Sequence, residues 1–321
     1  MRGTRSPFEV EVISLQSATS GSEHSPPISL RNERMPTAAV VVCTRHRPEL
    51  LRNCLGGISR LFPRPDEVIV VDNTSGDEET EYAAHEFGAR YIVEPIPGLS
   101  RARNRALQES TSEIVAYLDD DAVPDPHWLG LILKPFADPG VAVVTGETIT
   151  FESRADNLQD SIRTLSKKNS LWFETATFGG MGIGANMALR KGISGDWKGF
   201  DERLGRGAPF IKGGEEHYAI ARLVSLGFTA VHTPEAIVSH PWKPMNVAEE
   251  ASNAIAYWWL LFFESPGHRI ELINFLITRL QHKPVAWRQK PELGPVITSG
   301  WKLRIKAGLV GTMRYLRTWK S

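Results

Sequence analysis

Residues 38–47 read Ala38-Ala39-Val40-Val41-Val42-Cys43-Thr44-Arg45-His46-Arg47, and the fold turns on this stretch. A short continuous apolar run with no polar alternation describes a strand covered on both faces. Pro48 follows, where the first turn of a helix has no use for its missing N–H. Leu50, Leu51, Cys54, Leu55, Ile58 and Leu61 then recur at helical spacing and give that helix one apolar face. The alternation continues downstream. Glu67-Val68-Ile69-Val70-Val71 reads as a second buried strand, 77–87 as a helix ended by Gly88, and Tyr91-Ile92-Val93 as a third strand. A helix over 99–108, a strand over 114–118, a helix over 126–136 and a strand over 141–144 complete the series. Strands alternating with helices of about ten residues imply βαβ crossovers, hence an α/β fold with a mostly parallel, Rossmann-like central sheet flanked by helices.

In such sheets ligands bind beyond the C-terminal ends of the strands. The polar residues that follow the strands are Thr44-Arg45-His46-Arg47, Asp72-Asn73 and Asp119-Asp120-Asp121, and the topology sends all three clusters to one edge. Three adjacent carboxylates repel one another. A hard divalent cation with oxygen ligands, Mg²⁺ or Mn²⁺, resolves that repulsion. A solvated acidic loop is the competing reading of the same residues.

Charge excludes one class of partner. Lys+Arg and Asp+Glu stand at 37 each in 321 residues, so no net positive charge draws the chain to nucleic acid. Cys43 and Cys54, the two cysteines, cannot build a disulfide framework or a four-thiolate zinc site and suit a reducing, cytoplasmic setting. The longest apolar run, Ala254 to Phe263, has ten residues where a bilayer span needs about 20. Near the start, Phe8-Glu9-Val10-Glu11-Val12 puts acids where a signal peptide would be greasy. Residues 1–36 hold seven serines and four prolines without sustained periodicity, and are expected to form a disordered or weakly structured extension. A short strand over 8–15 and a start at Met35 are the open alternatives there.

Taken in order, Val41-Val42-Cys43-Thr44-Arg45-His46-Arg47-Pro48-Glu49, Val68-Ile69-Val70-Val71-Asp72-Asn73-Thr74-Ser75, Pro97-Gly98-Leu99-Ser100-Arg101-Ala102-Arg103-Asn104 and Tyr117-Leu118-Asp119-Asp120-Asp121 resemble the inverting family 2 glycosyltransferases. The likeness runs from about Thr37 to Lys243. It implies the GT-A fold, with a nucleotide-sugar-binding half over 37–147, an acceptor-binding half over 148–244, and a C-terminal helical region over 245–321. It further implies that Thr44, Arg45 and Arg47 meet the nucleotide, Arg45 stacking where the family often has an aromatic ring. Asp72 and Asn73 fall where an acidic pair commonly reads the base; Asn73 departs from the commoner aspartate. Arg101 and Arg103 face the diphosphate or, alternatively, only the exposed side of a helix. Asp119 and Asp120 hold the donor, while Asp119 and Asp121 match the outer acids of the motif that holds Mn²⁺ or Mg²⁺.

The downstream half is dense in glycine. Gly180, Gly182 and Ala185 match a dinucleotide-binding spacing, but no apolar strand precedes them. The segment Gly184-Ala185-Asn186-Met187-Ala188 instead resembles the family's floor beneath sugar and acceptor, which makes Gly184 and Asn186 acceptor-binding. Gly213-Gly214-Glu215-Glu216 resembles the motif that carries the catalytic base. Glu216 stands where the family usually has aspartate and is the expected base; Glu215 orients acceptor or loop. Capping of a helix start is the bland alternative for both acids. His240, at the end of an apolar strand, is expected to complete the metal site with Asp119 and Asp121.

From Trp301 to Lys320 there are six basic residues and no acids. Trp301, Ile305, Leu309, Met313, Leu316 and Trp319 recur near helical spacing. Such a helix either lies on an anionic membrane surface or packs on the catalytic domain with a solvated basic face. The expected activity is hexosyltransferase-like: an inverting, metal-dependent transfer from a nucleotide-diphosphate-sugar to an acceptor hydroxyl, in glycan, glycolipid or polysaccharide biosynthesis. The acceptor is a lipid-linked glycan, a polysaccharide or a small molecule, and the location is cytoplasmic or peripheral on the inner face of the cell membrane. A metal-dependent phosphohydrolase and a non-catalytic nucleotide-sugar-binding protein are the alternatives.

Overall fold

The computed structural model describes residues 35–151, 163–193, 197–241, 247–280 and 301–318. The expectations for 1–34, including the strand over 8–15, lie outside the described residues, as do Trp319 and Lys320. Strand β1 (Ala38–Thr44) is followed by α1 (Pro48–Ile58), β2 (Glu67–Asp72), α2 (Glu78–Glu86), β3 (Arg90–Val93), α3 (Leu99–Glu109) and β4 (Ile114–Asp119). This is the alternation that the apolar runs predict. Asp77 caps α2, its side chain accepting from the N–H groups of Glu79 and Thr80. Successive residues of β1 enter opposite layers, as a pleated strand requires. Val40 and Val42 pack with Leu51, Cys54 and Leu55 of α1, while Ala39 and Val41 pack with Ala102 and Ala106 of α3.

The second half departs from simple alternation. Its elements are β5 (Val123–Pro124), α4 (Trp128–Leu133), β6 (Val141–Ile149), β7 (Arg163–Leu165), α5 (Trp172–Thr177), β8 (Asn186–Arg190), α6 (Glu215–Ser225) and β9 (Thr229–Ser239). The strand order is β3-β2-β1-β4-β8-β6-β9-β5, with β7 on β9. The sheet is parallel from β3 to β4, and β8 inserts antiparallel to both β4 and β6. The helix expected over 126–136 is shorter: α4 stops at Leu133 and a 3₁₀ turn over Lys134–Ala137 follows. Pro135 has no N–H to continue an α-helical ladder.

Helices α7 (Val247–Glu264), α8 (Arg269–Leu280) and α9 (Trp301–Thr318) follow the sheet. Leu204, Ile211, Tyr257, Leu260, Leu261 and Tyr315 form a separate apolar core beneath them. Among the described residues no helix is long and apolar enough to cross a membrane. The described part of the stripe read from the sequence does not pack on the catalytic domain. On α9, Gly311, Tyr315 and Thr318 are buried, whereas Leu309, Met313 and Leu316 face outward.

Candidate active site

Parallel register brings the strand ends together: Thr44 pairs with Asp72 across β1 and β2, and Cys43 with Asp119 across β1 and β4. A cleft of about 200 Å³ opens there, lined among others by Thr44, Arg45, Arg47, Asn73, Asp119 and Asp120. His46 sits at φ 54°, in the left-handed region that few side chains occupy, and turns the chain between the two arginines.

Asp119-Asp120-Asp121 form a tight turn closed by the Ala122 N–H on the Asp119 carbonyl at 3.0 Å. The three acids diverge. Asp120 turns toward β1, where the Thr44 hydroxyl donates to it at 2.8 Å and Arg47 Nη1 at 3.1 Å. Asp121 turns toward β9, because the short β5 strand pairs Val123 with Ser239 and so delivers His240 beside it. His240 Nε2 lies 2.9 Å from Asp121 Oδ1 and 3.7 Å from Asp119 Oδ2. One ligand atom from each of Asp119, Asp121 and His240 falls within 4.8 Å of the other two. Two carboxylates and an imidazole suit Mn²⁺ or Mg²⁺, so the donor set fits the expected ion. Hydrogen bonding to Asp119 and Asp121 pushes the His240 imidazole up to about 9 despite burial. Burial acts to raise the Asp119 carboxyl. Its bond to His240 and the charges of Arg103 and Arg206 outweigh this and hold it below its ordinary value.

Arg103, from α3, is buried and links this corner to the start of α6. Its Nη1 donates to Glu215 Oε1 at 3.0 Å, and its Nη2 lies 3.7 Å from Asp119 Oδ1. Gly214, at φ 83°, turns the chain into α6 in a conformation glycine adopts freely. Glu215 and Glu216 therefore occupy the first turn, where unpaired N–H groups favour negative charge. Burial and the charge of Glu216 push the Glu215 carboxyl up. For Glu216 burial also acts upward, but His217 and Arg103 prevail and its carboxyl is lowered. The two carboxyls are thus pushed apart, Glu215 toward its neutral form and Glu216 toward its anion.

Not every expected residue reaches the cleft. Arg101 points outward to Glu202 at 2.7 Å. Asp72 is fully buried and accepts from Thr74 at 2.8 Å and the Tyr91 hydroxyl at 2.6 Å. Asn73 lines the cleft but its amide is committed to the main chain. It donates to the carbonyls of Glu94 and Ile96 at 2.9 and 2.8 Å and accepts from the Gly98 N–H at 2.7 Å. Asn186, expected to bind acceptor, is fully buried. Its Nδ2 donates to the carbonyls of Glu147 and Ala236, both at 2.8 Å, and its Oδ1 accepts from Trp128 Nε1 at 2.8 Å. No polar atom of that side chain is left for an acceptor, because inserting β8 between β4 and β6 needs those bonds. Gly184 contributes its carbonyl to Arg103 Nη2 at 3.1 Å.

Two residues escaped the sequence reading. Arg206 lines the cleft and its charge acts on Asp119. Its carbonyl accepts from the Leu99 N–H at 2.8 Å, holding the loop against α3. The signal was a basic residue between Gly205 and Gly207. Tyr257 of α7 lies against Gly214, where a Cβ would come within 3.1 Å of its ring. Only the tertiary fold reveals that contact.

Comparison with known proteins bears on family and fold. Residues 39–196 match the family model Glycosyl transferase family 2. Glycosyltransferase AglE of Haloferax volcanii is 26% identical over 223 residues, which cover 66% of this chain and 69% of that protein. Glucosyl-3-phosphoglycerate synthase of Mycolicibacterium smegmatis is 32% identical over 145 residues, covering 42% of this chain and 43% of the synthase. Against that relative the chain spans less than half the length. The mannosyltransferase PcManGT from Pyrobaculum calidifontis, solved in complex with GDP-Man and Mn²⁺, superposes with a TM-score of 0.53 at 15% identity, covering 88% of each chain. That likeness is one of fold.

Proposed function

This chain belongs to glycosyl transferase family 2, and on that footing we propose that it moves a sugar from a nucleoside-diphosphate donor to an acceptor hydroxyl with inversion at the anomeric carbon. The observation that carries the proposal is the reach of Arg103, whose guanidinium meets both Asp119 at the end of β4 and Glu215 at the start of α6. That reach supports placing the metal-ligating acids and the candidate base, next to Glu215, in one site.

Asp119, Asp121 and His240 would hold Mn²⁺ or Mg²⁺. When bound, such an ion neutralises charge that develops on the diphosphate as the glycosyl bond breaks. Arg47 and Arg206 add fixed positive charge along the cleft. Thr44 and Arg47 hold Asp120, which we assign to the donor with Asp119. Arg45 stacks on the base or ribose, while Asp72 and Asn73 shape the base end through the loop they anchor. Glu216, ionised, takes the proton of the acceptor hydroxyl as its oxygen attacks the anomeric carbon. Alignment within one cleft supplies much of the remaining acceleration.

A thermal-shift panel of UDP-, GDP- and dTDP-sugars with Mn²⁺ tests the donor. A cognate donor at about 100 times its Kd stabilises the fold by about 2.7 kcal/mol, a rise of roughly 4–5 °C for a chain of this length. GDP-mannose, bound in the structural relative, belongs first in the panel. No shift with any donor would count against the proposal.

The chain's place is proposed to be the cytoplasmic membrane surface, with a lipid-linked glycan as the favoured acceptor. Leu309, Met313 and Leu316 of α9 are 66%, 53% and 49% exposed, and Ile270 of α8 is 76% exposed. An apolar face on a helix region with six basic residues and no acids matches an anionic lipid surface in both hydrophobicity and charge. The protein is expected to co-sediment with phosphatidylcholine vesicles only when they contain phosphatidylglycerol. Replacing Leu309, Met313 and Leu316 together by Gln should abolish that binding. Failure to sediment with either vesicle ends the idea.

A further inference from the structure

We propose that Arg103 is a positioning residue that registers the acidic corner at the end of β4 against the start of α6, rather than a ligand of the diphosphate. The inference rests on the glycosyl-transfer reading for its consequence, though not for its geometry. Arg103 is 2% exposed, beneath the cleft that its helical neighbours Leu99 and Ala102 line. Both of its Nη atoms donate to protein. Beyond Glu215 and Asp119, Nη2 donates to the Gly184 carbonyl at 3.1 Å, and the Tyr117 and Phe200 rings lie 5.8 and 5.4 Å from its central carbon. A Cβ at position 184 would come within 2.6 Å of Nη2, so only glycine lets the loop approach this closely.

A diphosphate ligand needs donors that face solvent before the ligand arrives. Arg103 has its donors turned to Glu215 and Gly184, on two segments distant from α3 in sequence. Its main chain is also fixed, since the Tyr117 hydroxyl donates to the Arg103 carbonyl at 2.9 Å. Glu215 is the first residue of α6 and Glu216 the next, so holding Glu215 sets where the Glu216 carboxylate stands relative to Asp119. A buried, bidentate-capable guanidinium does this with little freedom. Lysine offers one point charge and cannot span the same partners.

Two readouts test the assignment on Arg103→Met, Arg103→Lys, Glu215→Gln and the Arg103→Met/Glu215→Gln pair. The pair removes the guanidinium together with its Glu215 partner, so neither is left buried without the other. The first readout is hydrogen exchange, which needs no substrate. Loss of Arg103 should speed exchange at the Tyr218 amide, which donates to the Gly214 carbonyl at 2.9 Å, and leave β1 unchanged. The second separates binding from turnover. With Mn²⁺, nucleoside-diphosphate affinity should stay at the wild-type value while kcat falls by about 100-fold, Arg103→Lys recovering part of it. The double variant should lose no more than Arg103→Met alone, as coupled residues do. Unchanged exchange at Tyr218, or a loss of diphosphate affinity at constant kcat, would overturn the proposal. Faster exchange in a protein whose wild type transfers no sugar would uphold the registration and sink the transfer reading instead.

Discussion

Replacing Glu216 by Gln is expected to lower kcat by about 10³-fold, the middle of the range for losing a general base, with donor affinity unchanged. Gln keeps the shape of the side chain, so neither cavity nor strain confuses the result. The loss follows from the charge state of two neighbouring acids. Burial disfavours ionisation of both, yet His217 and Arg103 favour the Glu216 anion, whose charge in turn pushes Glu215 up. An ionised carboxylate in the first turn of α6 also has the helix dipole behind it. The amide cannot accept the acceptor's proton. Single-turnover assays with the cognate donor separate this loss from any change in binding. Transfer by Glu216→Gln at the wild-type rate would remove Glu216 from the mechanism.

Metal removal carries the second large effect. Excess EDTA is expected to suppress transfer by at least about 10³-fold, since a bound cation supplies several kcal/mol of charge stabilisation, and Mn²⁺ or Mg²⁺ should restore it. Asp121→Asn should leave the fold intact and shift the Mn²⁺ titration to higher concentration. The metal requirement should also depend on pH with a definite sign. His240 is pushed up to about 9 by Asp119 and Asp121, so near neutrality its imidazole keeps a proton that a cation must displace. Apparent Mn²⁺ affinity should therefore rise as pH increases toward about 9. Full activity in excess chelator, or Mn²⁺ affinity that falls with pH, contradicts the assignment.

How much of this was legible before the coordinates depends on which interactions are local. The strands β1, β2 and β4 are continuous apolar runs and the helices between them carry their own signals, so the parallel half could be read directly. Its polar residues had to gather at one edge, because a parallel sheet leaves all C-terminal ends together. The insertion of β8 was not legible. It depends on Asn186 bonding to the carbonyls of Glu147 and Ala236 and to Trp128, partners 39 to 58 residues away. Periodicity carries no trace of such contacts.

Arg101 and Arg103 of α3 show a finer limit. Both were expected at the diphosphate, yet residues two apart on a helix face different ways. One reaches Glu202 at the surface and the other enters the core beside Glu215. The motif that names both residues does not say which one goes inward. The acid at position 216 was recognisable from its motif, but its ionised state depends on His217 and Arg103, which only packing brings near.

The most direct measurement is a crystal structure of the Glu216→Gln protein with the cognate donor and Mn²⁺. The ion should bind Asp121 and His240 at roughly 2.0–2.2 Å, with the diphosphate beside Arg47 and Arg206. The anomeric carbon should face position 216 on the side of the ring opposite the phosphate. A donor whose sugar points away from α6, or a metal bound anywhere but the Asp119–Asp121 turn, would contradict the shared site.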